Sequence, residues 1–150
     1  MNLRAWRIVK AKHAATAFSG EGARLFGGRW NSPGVSLVYT SSTQALAALE
    51  SLVHLNPPVL FQYAVIPVEF DAALVEKVSA LPAGWRDSPA PPSTQALGDA
   101  WAAQARSAVL ELPSVIIPGE SNFLLNPAHP DFRKIVIGKP APFAFDPRLL

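Results

Sequence analysis

Arg29, Tyr39 and Glu50 bring a cation, an aromatic hydroxyl and a carboxylate into one stretch, Gly27 to Leu55 (GGRWNSPGVSLVYTSSTQALAALESLVHL). None of the three stands where packing alone asks for its type. A later polar turn adds two short side-chain donors, Ser121 and Asn122. This set suits cleavage of an N-glycosidic bond to a positively charged leaving group. Nicotinamide leaves NAD as a neutral molecule, so no general acid is needed, and the difficulty is an oxocarbenium-like ribose, as in glycoside hydrolysis. A carboxylate such as Glu50 can bind ribose hydroxyls and oppose the developing charge. Arg29 can hold the diphosphate bidentately. The face of Tyr39 can stack on the nicotinamide ring, while Ser121 and Asn122 can donate to ribose or phosphate oxygens.

The local elements are readable around these residues. Gly27 and Gly28 permit close approach of backbone or ligand ahead of Arg29, and Pro33-Gly34 is a turn signal. Ser36 to Thr40 reads as a short strand with Tyr39 near its end. Ser41-Ser42-Thr43-Gln44 fits a capping box in which the Ser41 hydroxyl serves the first turn of a helix. At about 100° per residue, Ala45, Leu46, Leu49, Leu52 and Val53 share the apolar face of that helix. Glu50 lies on its shoulder, aligned with Thr43, Ala47 and His54. A shoulder glutamate is most often a half-solvated surface residue. What favours a site is that the three residues lie on consecutive elements able to fold onto one another. Asn56-Pro57-Pro58 ends the helix.

One domain, 1–150, is the natural reading of 150 residues, a length sufficient to bury a core. A content of 49% hydrophobic against 16% charged residues argues against disorder. No apolar run approaches the roughly 20 residues that span a bilayer, and MNLRAWRIVK is not a signal peptide. The absence of cysteine excludes disulfides and thiolate chemistry and fits a reducing compartment, so a cytoplasmic location is expected. A net charge of +2 is too small to make nucleic acid the default partner. The charge is uneven, however: Arg4, Arg7, Lys10, Lys12, Arg24 and Arg29 precede residue 30, with Glu21 the lone acid there. That cluster is either a patch for a phosphorylated ligand or acidic partner, or a solvated surface.

Leu3 to Val9 alternates as a first strand with Trp6 and Ile8 inward, and His13 to Phe18 suits a short helix. Ser19 to Gly22 reads as a flexible loop. Val59 to Phe70 is a long central strand, with Pro67 marking a bulge or a lapse in pairing. Leu74 to Val78 is either strand or one helical turn. Leu81 to Pro92 is a proline-rich surface loop, the segment expected to be most mobile. A second helix runs from Ser93 or Thr94 to about Ala108, with Leu97, Trp101 and Ala105 on one stripe and Trp101 in the core. Ser114 to Ile117 reads as a buried strand, Glu120 to Pro127 as a polar turn, Arg133 to Ile137 as a strand and Phe143 to Phe145 as an edge strand. Strands and helices do not alternate regularly, which predicts an α+β fold with a mostly antiparallel β-sheet core and flanking helices.

Several familiar sites are excluded. His13, His54 and His129 lie far apart with no cysteine nearby, which argues against zinc or another metal. Gly20-Glu21-Gly22 fails the dinucleotide fingerprint, and no phosphate-binding glycine loop is present. Gly119 to Phe123 lacks the closing glycine of a nucleophile elbow, so a hydrolase built on Ser121, His129 and Asp131 has little support.

The segments GGRWNSPG, VYTS, ALAALESLVHL and ESNFLLNP, in that order, resemble the RES domain, a toxin family named for its Arg, Glu and Ser. The resemblance runs from LRAWRIVK to FRKIVIG. It implies a fold similar to ADP-ribosyltransferase toxins of the diphtheria type. It also implies consumption of NAD as substrate, without a metal, by hydrolysis, phosphorolysis or ADP-ribosylation of a metabolic enzyme. The active-site residues it implies are Arg29, Tyr39, Glu50 and Ser121, with Asn122 beside them. The partner it implies is an Xre-like helix-turn-helix antitoxin whose C-terminal part occludes the NAD pocket, around a homodimer of this chain, with neither nucleic acid nor membrane bound directly. Arginine-specific ADP-ribosyltransferases carry Gln or Glu two positions before the catalytic Glu, and Ala48 stands there in this chain. Arginine acceptors are therefore not expected, whereas water, phosphate and other side chains stay open. Arg24 and Lys10 either assist the diphosphate or belong to the surface. The alternative of another class is a catalytically inert interaction module of the same fold.

Overall fold

In a computed structural model that describes residues 1–54 and 61–149, runs of apolar and β-branched residues assemble into one sheet. β1 (Asn2–Lys10) pairs antiparallel with β3 (Tyr63–Asp71) along its whole length, Ala5 opposite Val68 and Ile8 opposite Val65. β2 (Val38–Ser41) meets β1 where Ser41 faces Trp6, and its other edge takes β6 (Ser121–Leu125). β5 (Val109–Pro113) follows β6, and β4 (Val75–Lys77) lies outermost beside β5. β7 (Val136–Ile137) and β8 (Ala141–Phe143) pair with the free edge of β3. The resulting order is β4-β5-β6-β2-β1-β3-β7, with β8 beside β3.

The sheet is mixed, not the mostly antiparallel one expected. β4 and β5 run parallel, and parallel neighbours need a crossover connection. Here α3 (Pro92–Gln104) lies between them in the chain, a unit hidden by the irregular spacing of strands and helices. Two further helices, α1 (Glu21–Phe26) and α2 (Gln44–Leu52), flank the sheet's central strands in sequence.

Both sheet faces are covered. Ala5, Val38, Val68, Phe70, Phe123 and Leu125 form a core on one face. On the other, Ile8, Tyr63 and Val65 pack with Ala47 of α2, and Leu110, Leu112 and Leu124 pack with Trp30 and Trp101. Ile8 and Trp6 turn to the α2 face as expected, and Ala5 on the opposite face is fully buried as well.

Side-chain hydrogen bonds account for most of the other departures. The cap of α2 is Thr43, whose hydroxyl accepts the Leu46 N–H at 3.0 Å, and not Ser41. This places Leu46 and Ala47 in the core and leaves Ala45 and Val53 exposed. Ser114 to Ile117 is no strand, because the Ser114 hydroxyl accepts the N–H groups of Ile116 and Ile117 and turns the chain. The strand is β5, just before it. The expected polar turn at 120–127 is instead central strand β6. Pro67 leaves the β1–β3 register unbroken; its carbonyl faces Gly138 at 2.8 Å, on the side where partnership passes from β8 to β7.

Short elements depart too. The loop expected over Ser19 to Gly22 gives way at Glu21 to helix α1, whereas the turns at Ala11–Thr16 and Pro130–Lys134 are 3-10. Residues 72–77 contain both a 3-10 turn and β4. Ala105 is an exposed helix cap, not part of the buried stripe, while Trp101 is core as expected. The expected helix stop at 56–58 and the first two residues of the long strand, 59 and 60, lie outside the described residues.

Candidate active site

A cleft of about 590 Å³ opens between α2 and the Gly27–Asn31 loop, over the middle of β1 and the ends of β2 and β6. That volume lies in the range of ligand pockets. Arg29, Tyr39, Glu50 and Asn122 all line it, so the cation, aromatic, carboxylate and amide drawn from separate segments do meet in one hollow.

The Arg29 loop is held from two sides. Tyr39 accepts the Trp30 N–H at 3.1 Å and donates to Asn31 Oδ1 at 2.6 Å. Its hydroxyl is therefore committed to the loop, and what it offers a ligand is its ring. Gly28 is required here, because a Cβ would sit 2.6 Å from the Tyr39 oxygen. From the other side, one face of α3 clamps the loop backbone. Thr94 donates to the Arg29 carbonyl at 2.6 Å, Gln95 donates to the Gly28 and Asn31 carbonyls, and Asp99 accepts the Ser32 N–H at 2.9 Å. The Arg29 side chain donates to the Trp85 and Asp87 carbonyls at 2.9 and 2.7 Å, and Trp85 packs on Trp30 with ring centres 6.4 Å apart. The proline-rich loop is thus tethered over the cleft, not a free surface segment.

Burial keeps the Tyr39 phenol protonated far above its ordinary range, an effect only partly opposed by its hydrogen bond from Trp30. A phenol whose folded pKa is raised contributes stability in full below the unfolded value of about 10 and loses it as pH climbs beyond that. The denaturation midpoint of the protein is accordingly expected to drop more steeply between about pH 10 and pH 11.5 than that of Tyr39→Phe. Parallel pH profiles for the two proteins would contradict this.

Two further residues at the cleft were not singled out by sequence reasoning, which placed the first of them only within the basic cluster. Arg7 of β1 lines the cleft and donates to the Ala17 and Tyr39 carbonyls at 2.7 and 3.0 Å. Burial lowers its pKa to about 10, so it stays charged at neutral pH. Neither Arg7 nor Arg29 has a carboxylate partner among the described residues. Three others of the basic cluster have partners: Arg4 pairs with Glu69, Arg24 pairs with Glu21, and Lys10 sits over the Phe61 ring at 4.0 Å. Neither Arg24 nor Lys10 is among the residues that line the cleft. The second missed residue is Ser114, 2% exposed, which donates to Glu50 Oε1 at 3.2 Å.

Ser121 does not join the others. Strand alternation sends Asn122 to the cleft face and Ser121 to the opposite one, where its hydroxyl donates to Glu111 at 2.8 Å. Asn122 donates to the Ser41 hydroxyl at 3.1 Å. The hydrolase idea fails on the same geometry, because His129 Nδ1 accepts the Asp131 N–H as a helix cap. Ala48 packs with Trp6 against the Ile8–Val65 cluster and does not line the cleft. No group of three or more potential metal ligands occurs among the described residues, and no helix there is long and apolar enough to cross a membrane.

Comparison with known proteins follows the same lines. A family model described as RES domain matches residues 4–146. "Prs ADP-ribosylating toxin" from Sphingobium sp. (strain YBL2) is 43% identical over 97% of this chain and 95% of its own length. "Toxin Res" from Yersinia enterocolitica is 36% identical over 96% of this chain and 97% of its own. Among solved structures, a chain of the M. tuberculosis MbcT-MbcA toxin-antitoxin complex superposes with a TM-score of 0.73, covering 96% of this chain and 85% of that one at 17% identity. That likeness is one of fold.

Proposed function

The chain belongs to the RES domain toxin family, and on that premise we propose that it is the toxin of a toxin–antitoxin pair. Its reaction is cleavage of NAD at the nicotinamide–ribose bond with transfer of ADP-ribose to an acceptor. The observation that carries this reading is the convergence on a single cleft of one carboxylate and two arginines that have no carboxylate partner among the described residues. Arg29 and Arg7 neutralise the diphosphate, the flat face of Tyr39 receives the nicotinamide ring, and Asn122 donates to the ribose. Glu50 faces the ribose carbon that turns positive as the bond breaks, while nicotinamide departs neutral. A fixed carboxylate at such a position lowers the barrier because its charge is oriented before reaction.

The acceptor is water, phosphate or a protein side chain other than arginine, since Ala48 supplies no carboxylate or amide for a guanidinium. An Xre-like antitoxin covering the cleft of a homodimer, a metabolic enzyme as target, a cytoplasmic setting and kinship with diphtheria-type ADP-ribosyltransferases complete the proposal. Ser121 enters it only indirectly, through the β6 backbone that carries Asn122; its carbonyl accepts the Ser42 N–H at 2.9 Å.

The test is nicotinamide release from NAD by the isolated protein, with products resolved by mass spectrometry in the presence and absence of phosphate. Growth arrest with falling NAD on expression in bacteria supports the enzyme, and indifference supports an inert module. Arg29→Ala is expected to weaken NAD affinity about 10- to 100-fold, the worth of a charge-assisted hydrogen bond. Calorimetric titration giving an unaltered Kd would remove Arg29 from diphosphate binding.

A further inference from the structure

We infer that Trp85 is a positioning residue for diphosphate capture. By seating the loop at 85–87 on Trp30, it lets two loop carbonyls hold Arg29 by one nitrogen and leaves the rest of the guanidinium for the ligand. This role rests on the NAD reading above and deepens it.

A guanidinium carries five N–H donors in a rigid fork. At Arg29 both loop contacts fall on Nη1, which donates to the Trp85 carbonyl at 2.9 Å and to the Asp87 carbonyl at 2.7 Å. The two protons of Nη1 are thereby used. Nε and Nη2 have no acceptor among the described residues, and together they form an edge that can take a phosphate through two parallel bonds. Carbonyl oxygens are neutral, so they orient the cation and leave its charge for the diphosphate.

This arrangement requires a loop that stays in place. Its own turns are local, with the Trp85 N–H bonded to the Pro82 carbonyl at 3.2 Å and the Asp87 N–H to the Gly84 carbonyl at 2.9 Å. Of the described side chains between residues 82 and 91, Trp85 alone packs on the apolar cluster of Trp30, Leu37 and Trp101. Its ring centre lies 6.4 Å from that of Trp30, which is itself buried and joined to Tyr39 through its N–H. Arg86 lies over the Trp85 ring at 5.7 Å and donates to the Val115 carbonyl at 3.4 Å. Ser88 and Ala90 of the same loop line the cleft. The indole therefore passes the rigidity of the core to the guanidinium, and Trp85 acts on the ligand only through Arg29.

Trp85→Ala is expected to raise KM for NAD about 5- to 10-fold, the cost of ordering one long side chain on binding. The value of kcat should stay within about twofold, because the diphosphate is held alike before and during bond breaking. Calorimetric titration with ADP-ribose, which keeps the diphosphate and lacks nicotinamide, should show the same loss of affinity. Trp85→Phe keeps an aromatic face for Trp30 and should return KM to within about twofold of wild type. In an Arg29→Ala background, Trp85→Ala should add nothing further to Kd, since the group it positions is gone. A folded Trp85→Ala protein with wild-type KM, one that loses kcat instead, or one whose loss adds in full to that of Arg29→Ala would overturn the proposal. Should Trp85→Ala fail to fold, Trp85→Val decides: it keeps apolar contact with the core but no ring, and the same rise in KM is expected. Wild-type KM in a folded Trp85→Val protein refutes the role. Wild-type protein that neither binds NAD nor releases nicotinamide refutes the NAD reading separately. In that event the side-chain Nε resonance of Arg29 still reports the tether and must shift in Trp85→Ala or Trp85→Val; an unmoved resonance in a folded variant overturns the proposal.

Discussion

Glu50→Gln is expected to reduce nicotinamide release about 100-fold or more while leaving the fold and the thermal midpoint almost unchanged. Glutamine keeps the length and volume of the side chain, and its amide oxygen still accepts the proton of Ser114, which lies 3.2 Å from Glu50 Oε1. The substitution therefore removes charge and little else. On the proposed mechanism the charge matters only once the ribose carbon becomes electron-poor, so kcat falls and NAD affinity hardly moves. Steady-state kinetics with a circular dichroism melt on the same sample checks both halves. Wild-type turnover in a folded Glu50→Gln protein would take the carboxylate out of the chemistry.

Gly98→Ala should cost about 3 kcal/mol of stability, the reverse of what this substitution does in an ordinary helix. Alanine in place of an interior helical glycine normally gains about 1 kcal/mol. At Gly98 a Cβ would stand 1.7 Å from the Trp30 carbonyl oxygen and 2.8 Å from its carbon. Backbone cannot rotate aside as a side-chain tip can, so α3 has to lift from the loop. Thr94, Gln95 and Asp99 are on the same helix face, and their bonds to the loop weaken together. Urea unfolding should show the lowered stability, and titration should show weaker NAD binding, because Arg29 follows its neighbour. A Gly98→Ala protein more stable than the parent would show that the close approach is not maintained in solution.

What could be read from the sequence was what local order decides. Arg29, Tyr39 and Glu50 lie on neighbouring elements, and their convergence needs only a turn and a helix cap. Asn122 was legible as well, but its neighbour Ser121 was not separable from it until the segment proved to be a strand, where adjacent residues face opposite ways. Ser114 was hidden for a related reason: VIIP after it reads as strand, and only the two hydrogen bonds to its hydroxyl reveal a turn. Arg7 was visible as one of six basic residues before Trp30, yet nothing local told it apart from Arg4, which Glu69 neutralises across the sheet. The parallel β4–β5 pair could not be anticipated either, since three-residue strands carry too little pattern to register. A signal for the α3 clamp was present in the lone glycine inside a helical pattern, which ordinarily marks a packing constraint.

The two anchors of the cleft have a consequence for how the protein is made. Arg29 is steadied by residues 94–99 and Glu50 by Ser114, so each functional group waits for chain that the ribosome has yet to deliver. At about 5–20 residues per second, the lag between the arginine and its supporting helix is on the order of 3–13 s. A nascent chain, or one terminated early, carries all three signature residues and still lacks the means to hold them. On the proposed function, NAD cleavage therefore requires that residues 94–114 have been made and have folded onto the cleft.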